Sequence, residues 1–256
     1  MARRARVAIV SAMREELHAL LALLQDAQSI ELAGRRFHQG LMHGQPVVLV
    51  LCGIGKVAAS LTATLLAHEF DVELLVFTGV AGGLQPGVQV GDVVVAQQLL
   101  QHDIDASPLF PRFEVPLTGR SRFDADARLA DALALAAQRC LARGAEPIGQ
   151  MRLRGFGIEA ARVHRGLVVS GDRFVSSAAE SLALRRLLPD ALAVEMEGAA
   201  VAQVCADFGR RFAVLRTVSD RADDTAHVDF NRFITEVASA YTCAIVDDWL
   251  RHPPHA

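Results

Sequence analysis

Short apolar runs rich in β-branched residues recur along the chain, separated by stretches with helical periodicity. Several runs lack polar–apolar alternation, which is typical of strands buried on both faces. Strands that alternate with helices of this length predict a three-layer α/β/α sandwich around a mixed, mostly parallel sheet. The predicted strands are 7–10, 47–51, 74–77, 93–96, 167–169, 191–194 and 212–215, and the predicted helices are 14–24, 56–68, 125–142, 177–188, 198–208 and 230–250.

Composition limits what this chain can be. Its 256 residues contain no linker-like stretch, so we expect a single domain over residues 1–256. A net charge of −3 argues against a nucleic-acid-binding module, which needs a basic field. No apolar stretch approaches the ~18 residues that span a bilayer, so no membrane partner is expected. Residues 101–122 contain three prolines and are a candidate interface, whereas residues 144–163 receive no assignment.

The four cysteines, at positions 52, 140, 205 and 243, are far apart and lack the spacing of metal ligands. We therefore expect free, buried thiols in a reducing compartment and place the protein in the cytoplasm. The apolar run at residues 7–13 follows three arginines, and we interpret it as a first buried strand rather than a signal peptide. Lys56 is the only lysine, which we attribute mainly to codon usage.

Acids or glycine turns follow most of the predicted strands. In an open α/β sheet, ligands bind beyond the carboxyl ends of the strands, so these positions predict a cleft. The segments are 11–16, 52–56, 78–83, 170–174, 195–198 and 216–220.

The turn at Gly53 and Gly55 does not match a nucleotide-binding motif well. Val50 and Val57 stand where a P-loop needs a glycine and a Ser or Thr. A dinucleotide site needs an acid just past the next strand, where Thr78 stands instead. We therefore favour a tight strand-to-helix turn over an NAD-dependent enzyme.

The glycines between Thr78 and Leu84 predict either a close backbone approach to a planar ligand or positive φ angles. Glu195 and Glu197 are the sharpest local signal, because isolated carboxylates between apolar segments are costly unless they bind something. Capping of the next helix explains one of these acids, but it explains both less readily. Ser219 and Asp220 end a strand in the same way, with capping as the alternative.

His102, Asp103 and Asp105 favour loop hydrogen bonding over a metal site, because no further ligand cluster is visible. No GxSxG nucleophile elbow is present either, because Ser170-Gly171 lacks the flanking glycine. We predict no metal and no organic cofactor.

Taken in order, these segments resemble the 5′-methylthioadenosine/S-adenosylhomocysteine nucleosidases of the purine nucleoside phosphorylase superfamily. The resemblance covers nearly the whole chain and implies a nucleoside phosphorylase-like fold and cleavage of an adenine nucleoside. The matching segments are 12–16, 53–59, 78–84, 91–95, 166–174, 193–197 and 218–220.

The resemblance also implies roles for individual residues. Glu16 is expected to hold the attacking water as general base, and Asp220 to protonate N7 of the purine. Glu197 is expected to bind the ribose hydroxyls, with Met196 packed on the sugar. The other implied substrate contacts are Phe174 and Val175 at the adenine, Met13, Ile54 and Phe230 around the 5′ substituent, and Ala81, Gly82 and Ser219.

Two positions favour water over phosphate as the nucleophile. The related phosphorylases bind phosphate with an arginine and a serine where this chain has Phe77 and Val80, and apolar side chains cannot replace them. A phosphate-dependent phosphorylase and a non-catalytic nucleoside-binding protein stay open as alternatives. The chain departs from the nucleosidase pattern at Val80, at Arg14 and in the loop 106–113. These departures leave open which 5′ substituent the site prefers. The resemblance further implies a cytoplasmic homodimer acting in methionine salvage.

Overall fold

The computed structural model describes residues 7–143, 149–222 and 230–252. All seven predicted strands are present, several of them longer than expected. The strands are β1 (Val7–Ser11), β2 (Gln25–Leu32), β3 (Arg35–Met42), β4 (Gln45–Leu51), β5 (Leu74–Gly83), β6 (Val93–Gln101), β7 (Phe123–Asp124), β8 (Val163–Ser170), β9 (Ala191–Glu195) and β10 (Arg211–Asp220). The helices are α1 (Arg14–Leu21), α2 (Lys56–His68), α3 (Ala127–Ala142), α4 (Gln150–Gly155), α5 (Ala178–Leu187), α6 (Gly198–Asp207), α7 (Phe230–Phe233) and α8 (Ser239–Arg251).

The sheet is mixed, as predicted. Strand β1 lies between β4 and β5 and is parallel to both, and β5 is also parallel to β10. Strands β6, β8 and β9 form a second parallel set. Antiparallel pairs join β10 to β6 and β5 to β9. The strands β5, β10, β6, β8 and β9 therefore close into a ring, which brings the ends of β5, β9 and β10 together.

Helices cover both faces of the sheet, which confirms the three-layer architecture. Helices α2 and α6 pack together over one face, while α1 and α3 both contact α8 over the other. Burial on both faces explains why the central strands read as continuous apolar runs: all five residues of β1 are buried. Among the described residues, no helix is both long and apolar enough to cross a membrane.

The antiparallel strands β2 and β3 were not predicted from the sequence. Strand β2 is almost wholly exposed, so its residues carry no apolar pattern. The sequence signal for this pair of strands was in the turns on either side of β3. Ala33-Gly34 and His43-Gly44 each have two consecutive positive φ angles, which is the geometry of tight hairpin turns.

Helix ends follow local capping. Helix α5 begins after Ser177, whose hydroxyl accepts a hydrogen bond from the Glu180 N–H, and α3 begins after Asp126 in the same way. The predicted helix 230–250 is realised as α7, a π-helical segment (Ile234–Ala238) and α8. The unassigned stretch 144–163 contains α4, and its residues 144–148 lie outside the described part. Between β6 and β7 the backbone is mostly irregular.

Candidate active site

A cavity of about 540 Å³ opens where β5, β9 and β10 end. Eleven of the twelve predicted site residues line it, although they come from distant parts of the chain. They are Met13, Ile54, Ala81, Gly82, Phe174, Val175, Met196, Glu197, Ser219, Asp220 and Phe230. The fold therefore gathers the strand-end segments into one cleft.

Glu16 is the predicted residue that does not line the cavity. It lies in the first turn of α1, three residues after Met13, and is fully buried. Its Oε1 accepts a hydrogen bond from the Thr242 hydroxyl (3.2 Å), and its Oε2 has no partner among the described residues. Burial raises the pKa of Glu16 to about 7, although the positive charge of Arg216 opposes this rise. The side chain can therefore gain or lose a proton near neutral pH.

The two neighbouring acids have different environments. Glu195 accepts hydrogen bonds from the backbone N–H groups of Gly198 (2.8 Å) and Glu197 (3.2 Å), so it caps α6. Glu197 instead accepts a bond from the Gly55 N–H (2.9 Å). Burial, together with the charge of Glu195, raises the pKa of Glu197 well above its ordinary value. Capping thus accounts for Glu195 and leaves Glu197 for a ligand.

Arg216 is a fully buried cation beside these acids, and the sequence analysis gave it no role. Its Nε and Nη2 donate to the Glu195 carboxylate, and its guanidinium carbon lies 4.1 Å from the centre of the Phe77 ring. Nη1 has no partner among the described residues. A Cβ on Gly79 would come within 2.7 Å of Nη1, so glycine is needed there. The overlooked signal was a charged residue inside an apolar strand.

Asp220 is held at the end of β10 by local contacts. Its Oδ2 accepts a hydrogen bond from the Ser219 hydroxyl (2.8 Å), and its Oδ1 accepts one from the Ala222 N–H (2.7 Å). A Cβ on Gly82 would stand 2.8 Å from Oδ1. The side chain is 7% exposed and lines the cavity.

The glycine segment 78–83 is a strand, not a turn. It forms the second half of β5, and none of its glycines has a positive φ. The positive-φ alternative is therefore wrong. Gly79 and Gly82 do allow a close approach to the backbone, but it is made by the side chains of Arg216 and Asp220. By contrast, Gly53 and Gly55 have φ of +83° and +93°, which is the tight turn before α2 that was expected.

An aromatic pair flanks the mouth of the cavity. The rings of Phe174 and Phe230 meet edge to face, with centroids 5.8 Å apart. Phe174 is 41% exposed and Ile54 is 63% exposed, whereas Val175 is buried. A flat, apolar ligand can pack against such rings, while the nearby carboxylates fix its orientation. The cavity residues absent from the predicted set are Ala12, Val80, Arg173, Val194, Glu195 and Asn231.

Comparison with known proteins places this geometry in a family. Residues 6–251 match the phosphorylase superfamily. The chain belongs to this superfamily.

Solved structures agree in fold and length. The methylthioadenosine/S-adenosylhomocysteine nucleosidase of Neisseria meningitidis, bound to methylthio-immucillin-A, is 33% identical (TM-score 0.84; 96% of this chain, 98% of that chain). The Streptococcus pneumoniae nucleosidase with 8-aminoadenine is 31% identical (TM-score 0.83; 96% and 99%). The futalosine hydrolase of Helicobacter pylori is 30% identical (TM-score 0.83; 98% and 99%). The resemblance predicted from the sequence is confirmed.

Proposed function

We propose that the protein hydrolyses the N-glycosidic bond of 5′-substituted adenosines, releasing adenine. Methylthioadenosine and S-adenosylhomocysteine are the proposed substrates, and the second product is the ribosyl thioether. The observation that carries the proposal is a single cavity in which Glu197 and Asp220 meet the Phe174–Phe230 pair. The similarity to nucleosidases bound to adenine-like inhibitors supports the substrate class.

The charges of this site suit glycosidic cleavage. Bond breaking develops positive charge on the sugar and negative charge on the leaving base, so a catalyst needs anions near the sugar and a proton donor near the base. We assign the ribose contact to Glu197 and protonation of N7 to Asp220. General acid–base catalysis contributes roughly 10²–10⁴-fold, and preorganised charges often contribute more.

Glu16 is the proposed general base for the attacking water. Its pKa of about 7 suits this role, because a base works best when its pKa lies near the working pH. Glu16 is absent from the cavity wall, whereas Met13 of the same turn lines it. The proposal therefore requires the water to bind at the inner end of the cavity, beside α1.

Water rather than phosphate is the proposed nucleophile. The Phe77 ring packs against Arg216, whose Nε and Nη2 already donate to Glu195. Val80 lines the cavity and offers no hydrogen-bond donor from its side chain. A phosphate dianion needs arginine or comparable donors, and these two positions supply none.

We further propose a homodimer, in which a second copy covers the apolar residues beside the cavity. Val57 and Leu61 of α2 are 81% and 41% exposed, Ile54 in the turn before α2 is 63% exposed, and Leu109 of the 101–122 segment is 84% exposed. Exposed apolar patches of this kind mark interaction surfaces. The four unpaired cysteines support the proposed cytoplasmic location, and a role in methionine salvage follows from the proposed substrates.

Product analysis with purified protein tests this proposal. We expect adenine release from methylthioadenosine, S-adenosylhomocysteine, 5′-deoxyadenosine and adenosine at different rates, unchanged by added phosphate at constant ionic strength. Futalosine belongs in the same panel, because a futalosine hydrolase is 30% identical to the chain over almost its whole length. Dependence on phosphate, or release of ribose 1-phosphate derivatives, would establish a phosphorylase instead.

A substitution at Asp220 separates catalysis from binding. We expect Asp220→Asn to abolish turnover while an adenine-based inhibitor still binds, because the amide keeps the shape but cannot donate a carboxylic proton. Adenine release close to the wild-type rate by this variant would contradict the assigned role.

A further inference from the structure

Outside the cavity, a second charged cluster lies at the start of α2. Lys56, the only lysine among 26 basic residues, is the first residue of this helix, and its side chain is 17% exposed. Its Nζ donates hydrogen bonds to Asp103 Oδ1 (2.6 Å) and to Gln101 Oε1 (3.1 Å). Gln101 ends β6, so the ammonium joins the start of α2 to the end of a different strand.

Two backbone hydrogen bonds close this cluster into a ring. The Asp172 N–H donates to Asp103 Oδ2 (2.8 Å), and the Lys56 N–H donates to Asp172 Oδ1 (2.7 Å). Gly55 offers no side chain to cap α2, so Asp172 supplies the acceptor from the loop after β8. Gly55 also fits closely, because a Cβ there would lie 3.1 Å from Asp172 Oδ1. The Lys56–Asp103–Asp172 ring therefore connects three chain segments.

Two of these three segments lead directly into the cavity wall. Gly55 donates its N–H to Glu197, and its neighbour Ile54 lines the cavity. Asp172 stands two residues before Phe174 and three before Val175, which line the aromatic side. The ring thus sets how the Glu197 side of the site lies relative to the Phe174 side.

We propose that Lys56 and Asp103 are positioning residues for the nucleosidase site, holding the turn at Gly55 in register with the loop that carries Phe174 and Val175. This inference rests on the proposed function and extends it to residues that touch no substrate. A binding loop that is already held in its bound position loses less conformational freedom when the ligand binds, so a tie between the two sides of the site strengthens substrate binding directly.

The chemistry of the ring favours lysine at this position. An ammonium is a compact charge with three rotatable donors, so Lys56 can donate to the Gln101 and Asp103 oxygens at once. Burial alone would raise the pKa of Asp103, but the hydrogen bonds from Lys56 and from the Asp172 N–H bring it below its ordinary value. Asp103 is therefore a carboxylate at neutral pH, as the ion pair requires.

Two single variants and their double mutant test this role. Lys56→Met keeps an unbranched side chain that is one heavy atom shorter and removes its charge, and Asp103→Asn keeps the shape of its partner. For each we expect KM, and the dissociation constant of adenine measured by calorimetry, to rise about tenfold. We expect kcat to change less, and the pH profile of kcat/KM to stay in place. The double mutant should bind adenine no more weakly than the single variant with the lower affinity, because each substitution removes the same Lys56–Asp103 interaction.

A matched control distinguishes positioning from general stability. Arg210 donates hydrogen bonds to Asp71 (2.7 Å) and to the Ala67 carbonyl (3.3 Å) near the other end of α2. Arg210→Met therefore breaks a comparable ion pair close to the other end of α2, and KM and adenine affinity should stay unchanged. Folded Lys56→Met and Asp103→Asn proteins with wild-type KM and adenine affinity would overturn the inference. If the wild-type protein releases no adenine at all, the nucleosidase proposal fails, and the adenine-binding measurements still decide whether the ring positions the site.

Discussion

The guanidinium of Arg216 donates two hydrogen bonds to a single carboxylate oxygen of Glu195, and both side chains are almost completely buried. The pair has three tasks at once. Glu195 caps α6, Arg216 stacks on Phe77, and the positive charge lies close enough to lower the pKa of both Glu16 and Glu197. The protonation of the site therefore depends on a pair of which the sequence pointed to Glu195 but not to Arg216.

Removing one member of this pair should destabilise the protein more than removing both members. Arg216→Met leaves the Glu195 carboxylate buried without its partner, so we expect the free energy of unfolding to fall by about 3–5 kcal/mol in urea titrations. It also removes a charge that favours ionised Glu16, so the acidic limb of the kcat/KM profile should move to higher pH. The double variant Arg216→Met/Glu195→Gln should recover part of the lost stability. Equal stability of Arg216→Met and the wild type would contradict this account of the pair.

Much of the fold was predictable because burial on both faces leaves apolar runs in the sequence. The site residues Glu197 and Asp220 were also predictable, because they interrupt apolar segments at the strand ends. Arg216 could not be assigned, because its partner Glu195 is 21 positions away and the contact depends on β5 and β10 pairing Gly79 with Arg216. The exposed strand β2 was not predicted, because residues that face solvent on a strand need not form an apolar pattern.

The pH dependence of activity should report on Glu16. Its folded pKa of about 7 lies above the ordinary 4.5, so the base is protonated in acid and kcat/KM should rise as the pH passes through 7. The Thr242 hydroxyl donates to the ionised carboxylate and so lowers this pKa. Thr242→Val should therefore move the acidic limb to higher pH, with slower turnover at pH 6 and equal rates well above pH 8.

A second threonine provides the control for this experiment. The Thr217 hydroxyl is buried and has no hydrogen-bond partner among the described residues. Thr217→Val is the same chemical change within the same core, and its pH profile should coincide with that of the wild type. An unmoved limb in Thr242→Val, or an equal movement in both variants, would show that Glu16 does not govern the profile.

The fit between Gly82 and Asp220 predicts a catalytic defect from one added methyl group. The new Cβ of Gly82→Ala would lie 2.8 Å from Asp220 Oδ1 and 2.9 Å from the Ala222 Cβ, so the carboxylate must shift. Because a displacement of about 1 Å can cost 10²-fold, we expect kcat to fall by about 10- to 100-fold. The control is Gly87→Ala in the loop after β5, where a Cβ meets nothing within 4 Å. Steady-state adenine release and thermal unfolding of both variants provide the measurement. A Gly82→Ala enzyme with wild-type kcat would mean that the position of Asp220 does not limit the reaction.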